Sequence, residues 1–327
     1  MKKHTHSIAL LCLSVLFIFS ACNKESSNSG TLPPTDNSYR MVLSNAFAGL
    51  RSAPEELEVN AGSFQVVHGM NKTRLVFYPN SFKDKNGSII TTGQIKIKLI
   101  EMYRPGQVIA NRSSATASGR LLISGGQVYI KAYRAGQEVY PTVYGIGFPQ
   151  PAASMQPMNL FYGANNNEDS TVTWDEATRN DGTTTSGTMV DTVTNRFVYQ
   201  FDSCTNFNWI NCDYFYTYTQ PLTNMSIVVK DSFNTFNDTN TQVFVVFPAI
   251  NSVTWFQAYD PITHAFSLSP NYFVPVGMNF HTVSISVKNG TYYYDQKLNL
   301  TVTNNLVDTL KPQPQTLSYI ISALNSL

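Results

Sequence analysis

The chain has 327 residues, with 22 basic and 21 acidic side chains, a formal charge of +1 and 43% hydrophobic residues. No basic excess exists to hold a nucleic-acid backbone, and no polybasic run exists to hold anionic lipid. Charged residues make up only 13%, about half the usual share of ~25%. Polarity rests instead on Asn, Thr, Ser, Gln and Tyr, as is common in exported β-proteins.

The N-terminus reads as an address. Lys2 and Lys3 precede an apolar run from Ile8 to Phe19 that only Ser14 breaks. That run is shorter than the roughly 20 apolar residues a membrane-spanning helix needs. A basic start, a short apolar core and small residues at its end describe a secretory leader, residues 1–21. Ser20 and Ala21 stand directly before Cys22, and this ending resembles the bacterial lipoprotein signal. Phe19 departs from its usual aliphatic residue. The resemblance implies cleavage before Cys22, lipidation of Cys22, and an outer-membrane anchor of several acyl chains, as stable anchoring requires.

Residues 22–40 then read as a flexible tether, too polar to bury a core. Lys24-Glu25 resembles the start of a Bacteroidota surface-export signal, which implies display at the cell surface. About 285 residues remain, more than one typical domain, so two are expected.

Strand signals dominate the rest of the chain. "TRLVFYP" (73–79) and "GQIKIKLIEMY" (93–103) come first, the latter alternating strictly from Gln94 to Leu99. "RLLIS" (120–124) and "GQVYIKAYRAG" (126–136) read as two strands parted by a glycine turn. Short strands at this spacing predict a β-sandwich over 41–163. Residues 164–195 have few large apolar side chains and read as a linker or exposed hairpin. Strands resume at "RFVYQF" (196–201) and continue to "TYYYDQKLNLTVT" (291–303), giving a second sandwich over 196–327. Asn289-Gly290 marks a two-residue hairpin turn. "TLSYIISALNSL" (316–327) is the one convincing helix after the leader, capped by Thr316, with Leu317, Ile320, Ile321 and Leu324 as its apolar stripe. The fold class is therefore all-β: two tandem β-sandwich domains with a short C-terminal helix.

Four blocks carry a likeness: "TRLVFYPNSFKDKNGSIITTGQIKIKLIEMY", "GRLLISGGQVYIKAYRAGQEV", "MNLFYGANNNEDSTVTWDEA" and "FNWINCDYF". In this order they resemble a family of Bacteroidota surface lipoproteins whose first domain looks like the ZU-type β-sandwich of ankyrins and netrin receptors. The resemblance covers most of 60–215. It implies a β-sandwich and an envelope location, and it brings no catalytic residues.

Chemistry is sparse. His68, His264 and His281 lie far apart and form no H-E-x-x-H pattern. No G-x-S-x-G elbow and no phosphate-cradling glycine loop occur. Glu101, Glu168, Asp169, Asp175 and Glu176 read as solvated, with calcium held by "NNNED" (165–169) together with Asp175 and Glu176 a weaker alternative. No cofactor and no metal are expected. Cys12 leaves with the leader, so Cys204 and Cys212 remain. Their spacing in an oxidising compartment points to a local disulfide, with free thiols or a metal site as alternatives. In a strand, Tyr214, Tyr216 and Tyr218 would share one face, either as cross-strand packing or as a platform for sugar rings or a protein. Asp169-Ser170-Thr171, Asp191-Thr192-Val193 and Asp308-Thr309-Leu310 resemble a Bacteroidota O-glycosylation signal, marking Ser170, Thr192 and Thr309.

These observations favour a non-enzymatic, lipid-anchored envelope module that binds a glycan or protein partner. A structural component of an envelope complex is the alternative, and a glycan-active hydrolase comes third.

Overall fold

The computed structural model describes residues 37–149, 157–163, 172–178, 185–192, 196–268 and 272–327. The leader, Cys22 and residues 22–36 of the expected tether lie outside them.

Asn37–Leu50 forms helix α1, where a tether to residue 40 and then a sheet were expected. Leu43, Ala46, Phe47 and Leu50 are buried, and their spacing makes one apolar stripe. The chain continues through β1 (Glu55–Asn60), β2 (Gln65–His68) and β3 (Arg74–Phe77). Two short strands, β4 (Phe82–Lys83) and β5 (Ile89–Ile90), lead to β6 (Gln94–Met102). A buried connection holds helix α2 (Pro105–Ala110) and β7 (Thr116–Ala117). Pro105 begins α2, where its missing N–H is harmless. The Gln107 side chain accepts from the N–H groups of Tyr103 and Arg104 at 2.9 and 3.0 Å.

β8 is one strand of 15 residues, Arg120–Arg134, not the two expected. Its glycines bulge the strand instead of turning it, and Gly126 takes φ +121°. β9 (Gln137–Pro141), β10 (Tyr144–Pro149) and β11 (Asn159–Gly163) follow. Then come β12 (Trp174–Glu176), β13 (Thr188–Thr192), β14 (Arg196–Cys204) and β15 (Asn208–Phe215).

The second half opens with β16 (Leu222–Thr223), β17 (Met225–Val229) and β18 (Thr241–Phe247). It goes on through β19 (Ser252–Trp255), β20 (Ala258–Asp260), β21 (Ala265–Ser267) and β22 (Val274–Pro275). β23 (Asn279–Lys288) and β24 (Thr291–Thr301) form a hairpin. Asn289 and Gly290, at φ 52° and 75°, are its two turn residues, as their sequence predicts. β25 (Leu306–Leu310), β26 (Gln313–Gln315) and helix α3 (Leu317–Asn325) complete the chain. The Thr316 hydroxyl caps α3 by accepting from the Tyr319 N–H at 3.2 Å.

The fold is thus all-β, with several antiparallel sheets and a short C-terminal helix. A ten-stranded sheet contains β1, β6, β8, β9, β11 and β15. One of its faces packs against the five-stranded sheet β13-β14-β10-β3-β2, with Ile95, Ile97, Val128, Tyr144 and Phe148 between them. A second five-stranded sheet, β19-β18-β23-β24-β26, packs in turn against the four-stranded sheet β20-β21-β17-β25.

A further core joins the two halves. Met102, Tyr129 and Trp209 from the ten-stranded sheet meet Phe244, Val246 and Ile285 from β18 and β23, with α1, α2 and α3 among them. Trp174, inside the stretch expected as a linker, is buried in this core. Hydrogen bonds cross with it: Ala115 N–H to Val253 O at 2.6 Å, and Arg112 Nε to Gln242 Oε1 at 3.0 Å. Asn37–Leu327 is one compact unit.

Helix α2 lies close to α3. A Cβ on Gly106 would stand 1.9 Å from the Leu324 carbonyl oxygen. Gly106→Ala is therefore expected to force the helices apart at about 1–3 kcal/mol. The check is a lower urea midpoint at unchanged slope.

Candidate functional site

β6 sets up the most distinctive surface. Ile95, Ile97 and Leu99 point into the first core, so Gln94, Lys96 and Lys98 point outward. The next outward residues, Ile100 and Met102, belong to the core between the halves. On β8 the same switch runs from Tyr133 and Lys131 to Tyr129. One face of one sheet is thus charged where water reaches it and apolar where the second half covers it.

Strand pairing aligns two transverse rows on the open part. Glu58 stands opposite Lys96, Lys96 opposite Tyr133, and Tyr133 opposite Glu138. Glu56 stands opposite Lys98, and Lys98 opposite Lys131. Lys96 Nζ lies 2.9 Å from Glu56, Lys98 Nζ 3.9 Å from Glu56, and Lys131 Nζ 3.7 Å from Glu138. The Lys98 ammonium also sits 5.5 Å from the centre of the Tyr133 ring. The Lys96 ion pair lowers the Glu56 pKa and raises its own, through the hydrogen bond first and charge attraction second. An open groove of about 530 Å³ runs along this face, lined by Glu56, Glu58, Gln94, Lys96, Lys98 and Tyr133. Beyond β9 lies a second groove of about 380 Å³, with Lys83, Glu138, Tyr140, Tyr162 and Asn206 in its walls.

The residues singled out from sequence are scattered. Cys22 and Ser170 lie outside the described residues. Thr192 ends β13 opposite Arg196; its side chain is not among those described. Thr309 is half-buried in β25, where its N–H donates to Asp308 Oδ1 at 2.7 Å. Tyr214, Tyr216 and Tyr218 are all half-buried, and they do not form one ladder. β15 ends at Phe215, Tyr214 packs on the first core, and Tyr216 and Tyr218 pack on the third. The Tyr218 hydroxyl is occupied by the Leu121 N–H at 2.8 Å, and its ring meets that of Tyr216 edge-on at 5.6 Å.

Cys204 and Cys212, expected as a disulfide, are two free, buried thiols. Cys204 ends β14 in one sheet. Cys212 lies four residues into β15 in the opposing sheet, so the strand carries it roughly 13 Å past the corner. Bridged cysteines need Cα atoms within about 7 Å. Burial pushes the Cys204 thiol up to about 12 and the Cys212 thiol well above its ordinary value. Neither supplies the thiolate that exchange requires.

No known protein family matches the chain, and no curated protein does.

Two carboxylates carry structural roles that their sequence positions only hint at. Glu101, expected as solvated, is 9% exposed. Its oxygens accept from the N–H groups of Asn71 and Thr73 at 2.6 and 2.9 Å, which clamps the turn between β2 and β3. Asp213 is fully buried at the β8–β15 bulge. It accepts from Asn211 Nδ2 at 2.6 Å and from the Gly125 N–H at 3.2 Å. Burial raises its pKa to about 7 against these stabilising bonds. Glu101 sits in the otherwise apolar run "LIEMY" and Asp213 is the one acid of "NCDYF", and a lone acid there was the available signal.

The histidines stay apart. His264 Nδ1 meets the Tyr259 hydroxyl at 2.9 Å, and His281 Nδ1 accepts from the Asn299 N–H at 3.0 Å. Glu176 accepts from Asn159 at 2.6 Å. Among the described residues, no three His, Cys, Asp or Glu side chains converge on a point where a metal could sit. The arrangement on the open sheet face can hold polar groups by hydrogen bonds, ion pairs and aromatic contact.

Proposed function

We propose that this chain is a non-catalytic, lipid-anchored binding module of the cell envelope, displayed through Cys22. Its working surface is the open face of the ten-stranded sheet. The observation that carries this reading is the switch from charged to apolar side chains along β6 and β8. The second half covers the lower part of the face and leaves the Lys96–Tyr133–Glu138 row uncovered. A rigid sheet bearing aromatic rings between hydrogen-bonding groups suits a glycan, because ring faces stack on sugars and the polar groups fix hydroxyls. The sequence resemblance to surface lipoproteins supports the same location.

The test uses cells of the native host and a protease that cannot cross the outer membrane. Wild type should be digested on intact cells, and Cys22→Ser should appear as a soluble form. The soluble protein should capture at least one polysaccharide from a panel of neutral and acidic chains. Tyr133→Ala should weaken that capture about tenfold, the loss of one or two kcal/mol of stacking, with unchanged melting. Protection of the wild type from protease, or capture indifferent to Tyr133, would sink the reading.

A second reading has its own observation. Phe233 and Ile262 are 83% and 88% exposed. Ile262 lies in the turn after β20, and the Tyr259 hydroxyl of β20 donates at 3.4 Å to the carbonyl of Phe236, three residues after Phe233. Apolar tips of this kind suit a protein contact, as a structural component of an envelope complex would need.

A further inference from the structure

Two Asn-Gly pairs occur in the chain, Asn86-Gly87 and Asn289-Gly290. In each, the residue after the asparagine hinders attack on its side chain least, because glycine has no Cβ. Both pairs are exposed, and a Cβ on either glycine would meet nothing within 4 Å. Solvent access and crowding therefore treat the two alike. Their hydrogen bonds do not. In the turn between β4 and β5 the Gly87 N–H is the closing donor, bonded to Asp84 O at 3.1 Å. The Asp84 carboxylate accepts from the N–H groups of Asn86 and Ser88 at 2.8 and 2.9 Å. In the β23–β24 hairpin, Asn289 and Gly290 are both at positive φ, the two central residues of a type I′ turn. Closure there falls on Thr291, which pairs with Lys288. The Gly290 N–H and the Asn289 side chain bond to no group among the described residues.

We infer that Asn289 is a site of spontaneous covalent modification, cyclising to a succinimide that opens to isoaspartate or aspartate, while Asn86 persists far longer. The Gly290 nitrogen gives its proton to hydroxide and attacks Cγ of Asn289. A new C–N bond forms, the bond to the side-chain amide nitrogen breaks, and ammonia leaves. Water then adds to one of the two imide carbonyls and opens the ring. The attacking species is the deprotonated nitrogen. At Gly87 the bond to Asp84 O holds the proton in place, and the Asp84 carboxylate opposes the developing negative charge. Gly290 lacks both restraints, and its neighbour Lys288 is a cation. Isoaspartate carries the main chain through its side-chain carbon, which lengthens the turn and adds a carboxylate at its tip. Turn length fixes the register of a hairpin, so the Lys288–Thr291 pair loosens. Tyr292 follows directly, and its hydroxyl donates to Ala46 O on α1 at 3.0 Å. The change at the tip therefore reaches the contact between β24 and α1.

The experiment holds the full mature chain, released as Cys22→Ser, at mildly alkaline pH, samples it over days and digests each sample. Peptide mapping follows the gain of about 1 Da as an amide becomes a carboxyl, and chromatography separates isoaspartate from aspartate. The same chain in urea is the reference, because unfolding removes the Asp84 bonds. There the two asparagines should react at similar rates. In the folded chain Asn289 should react about fivefold faster than Asn86 or more, the factor that one ordinary hydrogen bond supplies. Asp84→Asn should narrow that gap, since it removes the charge and keeps an oxygen acceptor for the same N–H groups. Equal rates at the two sites in the folded chain, or faster loss of Asn86, would overturn the assignment. Persistence of both while the urea reference reacts would overturn it too. The modified fraction, separated by its added negative charge, should melt at a lower temperature than the intact one. Identical melting would overturn the effect on α1 and leave the modification site standing.

Discussion

Phe47→Ala is expected to destabilise the whole chain, not one half of it. Phe47 is fully buried. Its ring meets Phe244 edge-on at 5.9 Å, and the Arg112 guanidinium carbon lies 5.6 Å from its centre. A single side chain on α1 thereby touches β18 of the second half and the buried loop after α2. Removing a buried phenylalanine ring costs about 3–5 kcal/mol, a large part of the roughly 5–15 kcal/mol that holds a typical domain. If the core between the halves makes them one cooperative unit, the loss reaches every layer. Amides of β3 and β10, on the far side of the ten-stranded sheet, should exchange faster by the same free energy as those of β18 and β23. The urea transition should stay single and move to a lower midpoint. Unchanged protection in β3 and β10, with loss confined to β18 and β23, would show two independent units and refute the coupling.

Much of this architecture is written in local patterns. The alternation from Gln94 to Leu99 specifies which face of β6 is core, and Asn289-Gly290 specifies the β23–β24 turn. Thr316 and the stripe of Leu317, Ile320 and Leu324 specify α3. These signals are legible because each depends on near neighbours in sequence. The core between the halves depends on distant ones. Ile100 and Met102 continue the outward row of Lys96 and Lys98, and that break in polarity says only that something covers them. What covers them comes from residues 43–50 and 241–285, which no local period connects. Helix α1 is illegible for a related reason. Its stripe of four residues comes after a polar tether, and a stripe that short gains its stability from the surfaces it docks on.

The tyrosine row shows the converse failure. Period-two spacing puts Tyr214, Tyr216 and Tyr218 on one face only while the strand lasts. β15 stops at Phe215, and the Tyr216 N–H then bonds to Leu121 O at 3.0 Å, directing the next residues to a different core. The charged face is legible in part. The alternation places Lys96 and Lys98 outward, but their partners Glu56, Lys131 and Glu138 require the register of four strands. Its two like charges opposite each other become visible only with that register.

Asp213 should make the protein lose stability as pH rises through neutrality. Its carboxyl is buried, with a pKa of about 7 in the folded chain against 3.8 when solvated. A raised folded value means that the neutral acid is the form the fold favours. The stabilisation is fully present below about pH 3.8 and is lost progressively as pH rises to about 7. Linkage puts the loss between about pH 5 and pH 8 at about 2–3 kcal/mol, on the scale of a core truncation. Asp213→Asn should flatten this slope, because an amide cannot ionise. The variant has the partners it needs. Its Oδ1 can still accept from the Gly125 N–H, and once the Asn211 amide turns over, its amide N–H can donate to Asn211 Oδ1, which has no hydrogen-bond partner in the wild type. Thermal melting of both proteins at half-unit steps across that pH range supplies the comparison. Other titrating groups contribute equally to the two curves, so their difference isolates Asp213. The difference should grow in favour of the variant as pH rises and level off above about pH 7. Parallel curves would mean that Asp213 stays in one protonation state throughout, held there by Asn211, Ser124 and the Gly125 N–H more firmly than burial opposes.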